Sequence, residues 1–379
     1  MPKLKRKKII RSSTVATSLE TFCKGLLKEL SEKYEVVAVS SPDDTLDLVG
    51  RREGVKTVGV PMERHIAPLS DLKSLWKMVG VMRRERPWLV HSMTPKAGLM
   101  SMIAGWLTGV PVRVHTYTGL VFPTATGITQ KILILTDRIL CRCATHIIPE
   151  GQGVKRDLER YRITRKPMRV LANGNVRGID LSHYDRTPEV MAEARKIADP
   201  DKTTYVFVGR IVGDKGVNEL VEAFTRLNAE HPDTRLILVG RQEAELDPVS
   251  PTTLERIKSN ASVLAVGEQE DVRPWLAASD IGVLSSYREG FPNSVIESGA
   301  MGLPSIVTDI NGANEIIIPG ENGLIVPPRD ADALYRAMKL LYDDKPMRDR
   351  LASRSRDMSR RYDQTVVRKA LYDFYSSLE

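Results

Sequence analysis

Cysteine and metal-ligand patterns are scarce in this sequence. Its three cysteines, Cys23, Cys141 and Cys143, form neither a CxxC pair nor an even set, so free thiols in a reducing compartment are the simplest interpretation. The DxD pair Asp330-Ala-Asp332 opens a predicted helix, where aspartate caps the helix and complements its dipole. We therefore expect no metal site.

Long hydrophobic runs are also missing. The most apolar segments, 97–107 and 128–141, are short or interrupted by charges, and neither is suited to span a bilayer. Behind the basic opening KLKRKK (3–8), only Ile9 and Ile10 precede polar residues, so the start does not resemble a signal peptide. The sequence therefore predicts a protein without a transmembrane segment.

Charge is distributed unevenly along the chain. Residues 1–175 hold 30 Lys and Arg against 15 Asp and Glu, whereas residues 176–379 hold 26 against 33. A basic first half favours an anionic partner, and the absence of nucleic-acid motifs favours a membrane surface over nucleic acid. Core packing is the favoured interpretation of the apolar segments 97–107 and 128–141, although Trp106 and Met100 would also suit a peripheral membrane face. A solvated face is the alternative for the charge.

The chain is too long for one ordinary core, and its patterning predicts two α/β domains. Short β-branched runs alternate with amphipathic helical stretches, which is typical of parallel sheets covered on both faces. The break at 171–184 separates two such series, so we predict an N-terminal domain over 1–180, a hinge near 173–195 and a C-terminal domain over 195–362. The final helical part, about 363–379, is expected to pack back on the first domain.

The periodicities also predict the individual elements. Ligands of doubly wound sheets bind outside the carboxyl ends of the strands, so we expect the site in the cleft between the two domains. The predicted strands are 34–40, 88–92, 112–117, 145–149, 168–173, 203–210, 235–240, 262–267, 281–286, 304–309 and 323–327. The predicted helices are 18–33, 69–85, 96–107, 127–142, 151–161, 216–230, 269–278, 293–302, 330–343 and 348–378.

The segment VFVGRIVGDKG (206–216) combines glycines with two cations. A predicted strand ends at Gly209, Arg210 and Lys215 follow, and a helix begins near Gly216. Glycines let a phosphate approach the backbone, a helix N-terminus favours anions, and two cations can clamp a diphosphate. The segment matches neither the P-loop nor GxGxxG. The alternative is a turn with two exposed cations.

The stretch REGFPNSVIESGAMGLP (288–304) carries two glutamates eight positions apart. Glu289 lies on the loop after a predicted strand, and Glu297 lies about one turn into a helix that begins near Pro292. Carboxylates accept hydrogen bonds from the vicinal hydroxyls of sugars and ribose. The alternatives are a solvated loop acid and a helix-surface acid. A two-carboxylate hydrolase would need its acids roughly 5–9.5 Å apart across one glycosidic bond, which the loop-then-helix context disfavours.

Together these motifs resemble the retaining glycosyltransferases of family 4, which have the GT-B fold. The shared features are E-x7-E, present as Glu289 and Glu297 in EGFPNxxxE, and the basic pair Arg210 and Lys215 in GRIVGDKG. The order of WLVHSMTPKAG, NGNVRGID, GR…K, AASDIGVLSS and E-x7-E also matches, most strongly over 203–328. The resemblance implies two Rossmann-like domains facing a cleft, and a reaction without a metal or any cofactor beyond the nucleotide-sugar.

The resemblance also implies residue roles in donor binding. Arg210 and Lys215 would bind the donor diphosphate and stabilise the leaving group, which fits electrostatic catalysis. Glu289 would hold hydroxyls of the transferred sugar, and Glu297 would hold the ribose hydroxyls. Further donor contacts are implied at Gly209, Val266, Gly290, Phe291, Asn293 and Ser294.

The first domain is expected to bind the acceptor, and here the sequence departs from the family. Where relatives carry T-x-H-G this chain has HTYTG (115–119), and where many carry H-x-H it has HSM (91–93), so no donor-contacting histidine is carried over. Buried strand histidines and a helix-capping acid are the alternatives to a role for these residues. The acceptor-side candidates are His91, Thr94, Lys96, His115, Thr118 and Glu150, of which Thr94 and Lys96 would suit a phosphate and Glu150 an acceptor hydroxyl or a general base.

The sequence therefore predicts a retaining, metal-independent hexosyltransferase. It would move a hexose or N-acetylhexosamine from a UDP-sugar to a polyprenyl-diphosphate-linked glycan in cell-surface polysaccharide biosynthesis, as bacterial family members of similar type do. Its expected location is cytoplasmic, peripheral on the inner face of the plasma membrane, with no nucleic-acid partner. The alternatives are a sugar-nucleotide epimerase of the same fold and a non-catalytic nucleotide-sugar-binding protein.

Overall fold

Two parallel six-stranded sheets organise the chain in this computed structural model, which describes residues 6–63, 67–243 and 247–379. Contacts divide the chain into unit 1, which runs to Arg177 and includes Val367–Glu379, and unit 2, Gly178–Val366. Each unit contains one sheet with helices packed on it. The predicted α/β class with two doubly wound, Rossmann-like domains is therefore confirmed.

Unit 1 contains six strands and the helices that connect them. The strands are β1 (Lys8–Ser12), β2 (Glu35–Ser40), β3 (Lys56–Gly59), β4 (Leu89–Met93), β5 (Val112–Tyr117) and β6 (His146–Pro149). The helices are α1 (Ala16–Cys23), α2 (Leu26–Lys33), α3 (Asp44–Glu53), α4 (Pro68–Glu85), α5 (Pro95–Leu107), α6 (Gly127–Cys143) and α7 (Gln152–Arg160).

Unit 2 has the same architecture. Its strands are β7 (Thr203–Val208), β8 (Thr234–Val239), β9 (Val263–Gly267), β10 (Ile281–Leu284), β11 (Ser305–Thr308) and β12 (Gly323–Val326). The remaining helices are α8 (Pro188–Ile197), α9 (Val217–Glu230), α10 (Pro251–Ser259), α11 (Arg273–Ala277), α12 (Asn293–Ala300), α13 (Ala313–Ile316), α14 (Ala331–Asp343), α15 (Lys345–Ser359) and α16 (Gln364–Ser376). The last of these ends in unit 1.

Both sheets reverse their strand order at their centre. Unit 1 has the order β3-β2-β1-β4-β5-β6, and unit 2 has the order β12-β11-β10-β7-β8-β9, with every neighbouring pair parallel. The chain builds one half of each sheet outward and then returns to the centre. The loops after the two central strands therefore leave in opposite directions and open a crevice at the carboxyl ends, between β1 and β4 in unit 1 and between β10 and β7 in unit 2.

The strands form because their side chains are apolar on both faces, as covered parallel sheets require. Ile9, Ile10 and Val90 in unit 1 are fully buried, and so are Tyr205 and Leu236 in unit 2. Burial of such side chains contributes about 1.5–3 kcal/mol each. The two cores are built from separate sheets, so each unit positions its own loops.

The end of the chain packs on the sheet of unit 1. Tyr375 of α16 is fully buried, and its hydroxyl accepts a hydrogen bond from Arg11 Nη1 at 2.9 Å. Phe374 beside it is also buried. The predicted helix 348–378 is wrong in its continuity, because a 3-10 turn at Arg360–Tyr362 separates α15 from α16.

Two other sequence predictions of local structure are wrong. Gly25, at φ 76°, breaks the predicted helix 18–33 into α1 and α2, since this backbone conformation does not continue a helix. The predicted strand 168–173 does not form, and Met168 makes only an isolated bridge with Ile147. The sequence prediction also missed β1, β3 and the helices α3, α8, α10 and α13.

Candidate active site

The loops after β7 and β10 are joined by hydrogen bonds at the centre of the second sheet. The hydroxyl of Ser285 donates to the Lys215 carbonyl oxygen at 2.9 Å, and the Tyr287 amide donates to the Asp214 carbonyl at 2.9 Å. The Arg288 guanidinium also pairs with the Asp214 carboxylate at 3.1 Å. These bonds hold the two predicted donor motifs together as one site.

Lys215 and Glu289 meet at this point. The Lys215 ammonium lies 2.5 Å from Glu289 Oε1, and the two side chains are 18% and 19% exposed. The hydroxyl of Ser286 donates to the same carboxylate oxygen at 3.0 Å. A charge-assisted bond in a partly buried setting orients both groups more firmly than a surface ion pair does. The site thus presents a fixed cation beside a fixed carboxylate.

Gly216 allows the Lys215 loop to lie against β10. Its φ is 65°, and a Cβ atom at this position would lie 1.9 Å from the carbonyl oxygen of Ser285. A side chain here is therefore excluded by both the backbone conformation and the neighbouring loop. The approach places Lys215 at the end of β10, within reach of Glu289.

Arg210 lies nearer the surface of unit 2 than Lys215. Its side chain is 48% exposed and pairs with Glu243 at 2.8 Å, while Arg241 pairs with the other oxygen of the same carboxylate at 2.8 Å. Hydrogen bonds from Arg241 and Arg210 lower the pKa of Glu243. Glu243 therefore holds one nitrogen of the Arg210 guanidinium, and the rest of the group remains accessible to an anion.

The helix α12 begins directly after the Glu289 loop. Its N-cap residue is Pro292, which carries no side-chain oxygen to accept bonds from the first-turn amides. Asn293 and Ser294 at its start are partly exposed. Phe291 is buried with its ring 5.3 Å from that of Tyr362. The positive end of the helix dipole is therefore anchored beside the loop.

The remaining donor candidates surround the same end of the sheet. Gly209 and Gly290 are partly exposed at the ends of the two loops, and Val266 is partly exposed on β9, where its carbonyl accepts from the Gln269 side chain at 2.8 Å. Glu297 is buried inside α12, eight positions from Glu289. All belong to unit 2.

A second polar cluster occupies the centre of the first sheet. The hydroxyls of Thr14, after β1, and Thr94, after β4, lie 2.8 Å apart, and the Ala97 amide donates to Thr14 Oγ1 at 3.1 Å. Thr94 has a φ of 71°, an uncommon conformation for a threonine that often marks functional sites. Lys96 pairs with Asp71 at 2.6 Å.

Thr14, Asp71, Thr94 and Lys96 line a pocket of about 700 Å³ in unit 1, which we call the α5–α6 pocket. Its volume lies within the ~300–1,000 Å³ typical of sites for small organic ligands. Tyr117 and Asp137 also face it, with the tyrosine hydroxyl 3.4 Å from the carboxylate. The walls are mainly apolar and include Leu99, Met100, Leu120, Phe122, Ile132 and Leu133.

The two candidate histidines are buried in unit 1. His91 Nδ1 accepts from Arg11 at 2.5 Å and its Nε2 lies 2.6 Å from Thr116 Oγ1, and burial lowers its pKa well below the usual value. His115 Nδ1 lies 2.9 Å from Ser92 Oγ, and burial lowers its pKa to about 3. Both imidazoles are therefore neutral core groups near pH 7.

The other acceptor-side candidates lie at two different positions in unit 1. Thr94 and Lys96 lie on the α5–α6 pocket, and Thr118 is partly exposed just before Gly119, which also lines it. Glu150 is buried and faces a separate narrow cavity of about 20 Å³, together with His91. A cavity of that size holds about one water molecule.

Sequence reasoning missed several polar groups that shape the two sites. Thr14 and Asp71 in unit 1 lie in segments without a recognisable motif, so only the strand order brings them to the pocket. Ser285 and Ser286 directly precede the Glu289 loop. Their position at the carboxyl end of a predicted strand was the signal that could have identified them.

Residues 6–63, 67–243 and 247–379 contain neither a metal-binding cluster nor a membrane-spanning helix. Within them, no three His, Cys, Asp or Glu side chains come together as a metal-binding group would. None of the helices in these ranges is both long and apolar enough to cross a bilayer. Asp330 caps α14 by accepting from the Ala333 amide at 2.8 Å, and Asp332 pairs with Arg226.

Comparison with known proteins identifies both units. Residues 192–358 match the family model "Glycosyl transferases group 1", and residues 18–174 match "Glycosyl transferase 4-like domain". The chain is a glycosyltransferase with the GT-B fold, in which a group 1 domain follows a 4-like domain. The structure of Anabaena HepE in complex with UDP and glucose superposes with a TM-score of 0.82 at 18% identity, covering 98% of this chain and 100% of HepE.

Two curated bacterial transferases show the sequence relationship. The glycosyltransferase is 29% identical to the Staphylococcus aureus capsular polysaccharide biosynthesis glycosyltransferase CapM, over 99% of this chain and 98% of CapM. It is 28% identical to the Escherichia coli UDP-Gal:α-D-GlcNAc-diphosphoundecaprenol α-1,3-galactosyltransferase, over 77% of this chain and 76% of that enzyme.

Replacing Gly216 tests whether the close approach of the two loops is needed. We expect Gly216→Ala to abolish most transfer and to lower the free energy of unfolding by about 3 kcal/mol or more, because the methyl group meets a backbone carbonyl. Gly320→Ala is the control, since Gly320 has a φ of 79° with no atom within 4 Å of its Cβ position. Its expected cost is about 1 kcal/mol. Equal effects of the two substitutions in urea unfolding would contradict the role given to Gly216.

Asp137 predicts a pH dependence of the stability of unit 1. Burial raises its pKa to about 7, against the hydrogen bond from Tyr117, which lowers it. The carboxyl of the unfolded chain loses its proton near pH 4, whereas the folded one keeps it up to about pH 7. The free energy of unfolding therefore falls as the pH rises from 4 to 7. We expect Asp137→Asn to raise the free energy of unfolding by about 1–3 kcal/mol at pH 8 and hardly at pH 4.

The measurement is urea unfolding at pH 4, 6 and 8. Asp349→Asn is the control, because Asp349 is exposed and pairs only across one turn of α15 with Lys345. Its expected effect is below about 0.5 kcal/mol at each pH. An unchanged pH slope in Asp137→Asn would show that this carboxyl does not titrate with folding.

Proposed function

We propose that this glycosyltransferase transfers a hexose or N-acetylhexosamine from a UDP-sugar to a polyprenyl-diphosphate-linked glycan, with retention of anomeric configuration and without a metal. The reaction belongs to the synthesis of a cell-surface polysaccharide. The observation that carries the donor half of this proposal is the Lys215–Glu289 pair at the β7–β10 crevice. The two relatives support the acceptor half, since one makes capsule and the other uses a diphosphoundecaprenol acceptor.

The proposed donor lies along the loops after β7 and β10. Arg210 and Lys215 neutralise the diphosphate, and the start of α12 contributes the positive end of its dipole. As the sugar–phosphate bond breaks, negative charge grows on the departing UDP. Cations that are already fixed in place stabilise this charge without reorganising. HepE, which has the same fold, binds UDP and glucose, and this supports the choice of nucleotide.

Glu289 is proposed to orient the transferred sugar rather than to attack it. One carboxylate oxygen already accepts from Lys215 and Ser286. The remaining acceptor positions of the carboxylate suit hydroxyl groups of a hexose. Glu297 is proposed to accept from the ribose. Retention is tested by the anomeric proton coupling constant of the product formed from an α-linked UDP-sugar.

An anionic membrane surface is the proposed location of the acceptor reaction, on the cytoplasmic face of the plasma membrane. Helix α6 exposes large apolar side chains at helical spacing, with Ile128 77% and Leu135 57% exposed, together with Ile132 and Ile139. Lys131, Arg138 and Arg142 are exposed on the same stripe. An apolar stripe edged by cations is typical of helices that lie in a lipid interface.

Two neighbouring helices also expose large aromatic side chains. Helix α5 packs against both α4 and α6. Trp76 of α4 and Trp106 of α5 are exposed, whereas Met100 is buried in the pocket wall, as core packing of its segment predicts. Exposed Lys73 and Lys77 flank the tryptophan of α4 in the sequence. The basic segment KLKRKK begins outside the described residues, which start at Arg6.

Substitutions at the donor site test the proposed transfer. We expect Lys215→Ala, Glu289→Gln and Arg210→Ala to lower acceptor-dependent UDP release by roughly 100-fold or more, the loss typical of removing one preorganised charge. Arg241→Ala is the matched control for Arg210→Ala, because both arginines bind Glu243. It should retain near wild-type activity. Near wild-type turnover in all three site variants would refute the assignment, and epimerised donor without acceptor would favour the epimerase.

Vesicle binding tests the membrane surface. We expect the double variant Ile128→Glu/Leu135→Glu to lose at least about tenfold in binding to phosphatidylglycerol vesicles, because two side chains no longer enter the interface. The control Ile318→Glu/Leu340→Glu changes one exposed Ile and one exposed Leu of unit 2. Cosedimentation measures the bound fraction. Equal loss in both double variants, or no loss in either, would contradict this surface.

A further inference from the structure

The α5–α6 pocket has the composition of a hydrocarbon site. Leu99, Met100, Phe122 and Leu133 line it, and several of the polar side chains in its lining are already bonded within the protein. These bonds join Thr14 to Thr94, Lys96 to Asp71, and Tyr117 to Cys141 and Asp137. A saccharide needs hydrogen-bond partners for each buried hydroxyl, whereas a hydrocarbon needs only apolar contact.

The pocket is continuous with the exposed stripe of α6. Ile132 lines the pocket and is also one of the exposed stripe residues. A chain leaving a lipid interface beside this helix could therefore enter the pocket without crossing water. Lys131 next to it on the stripe is exposed and complements an anionic head group at the entrance.

We infer that the α5–α6 pocket binds the isoprene units of the acceptor lipid nearest its diphosphate. This inference rests on the proposed function and assigns the pocket to the lipid chain rather than to the sugar. The branched methyl groups of the chain pack against Leu99, Met100 and Leu133, and the diphosphate stays at the rim. Each buried CH₂ is expected to tighten binding by roughly fourfold, so affinity should rise with chain length until the pocket is full.

Direct binding tests the inference without any transfer reaction. Isothermal titration of the full chain would compare farnesyl diphosphate with methyl diphosphate, and we expect at least a tenfold lower Kd for the farnesyl compound. Thr136→Phe and Thr129→Trp place a large side chain in the pocket and should each raise that Kd by at least tenfold. Thr225→Phe, on α9 of unit 2, is the control. The hydroxyl of Thr225 donates to a carbonyl of its own helix, as the hydroxyl of Thr136 does on α6.

Several outcomes would overturn the assignment. Equal affinity for the farnesyl and methyl compounds would show that the pocket does not bind the isoprenoid chain. Unchanged farnesyl binding in both pocket variants would show the same. Competition by dioleoylphosphatidylglycerol at equal concentration would assign the pocket to bilayer acyl chains instead. Loss of farnesyl binding in Thr225→Phe would show that the variants act through general destabilisation.

A transfer assay separates this inference from the proposed function. If the pocket variants keep wild-type KM for a polyprenyl-linked acceptor, the pocket assignment fails and the proposed function stands. If the wild-type enzyme transfers to no lipid-linked acceptor, the proposed function fails, and the farnesyl titration still decides what the pocket binds. We expect the variants to raise KM by at least tenfold for long-chain acceptors and less than twofold for one with a methyl group in place of the polyprenyl chain.

Discussion

The Lys215–Glu289 ion pair is the contact on which the proposed donor site depends. It exists because the strand order of unit 2 reverses between β10 and β7, so that the two loops leave the sheet side by side. Gly216 and Ser285 then bring the loop backbones into contact. The fold thus fixes a cation and a carboxylate before any substrate arrives. Such preorganisation is what electrostatic catalysis of diphosphate departure requires.

The two units use one topology for different chemistry. In unit 2 the crevice at the sheet centre carries opposite charges, which suits a ligand with a diphosphate and many hydroxyls. In unit 1 the equivalent crevice carries the Thr14–Thr94 pair and leads into an apolar pocket. The exposed apolar and basic stripe of α6 borders that pocket. Donor and lipid-linked acceptor would therefore be recognised by different physical forces, charge in one unit and apolar burial in the other.

Much of this architecture could be predicted from the sequence, because its signals are local. Eleven strands were predicted and ten of them form, since their apolar runs and Gly or Pro boundaries are short-range features. The candidate donor motifs could be proposed from the sequence because Arg210, Lys215, Glu289 and Glu297 lie in two short segments, and their roles stay a prediction. Features that depend on long-range packing were not predictable. The hydrogen-bond partners of His91, for example, come from β1, β5 and the C-terminal helix α16. The exposed stripe of α6 was predicted to pack in the core.

A crystal structure with an intact UDP-sugar would test the central claim most directly. We predict diphosphate oxygens within hydrogen-bond distance of Arg210 and Lys215, sugar hydroxyls on Glu289 and ribose hydroxyls on Glu297. A diphosphate bound away from the β7–β10 crevice, or a metal ion bridging it to Asp330 and Asp332, would contradict this assignment of the donor site.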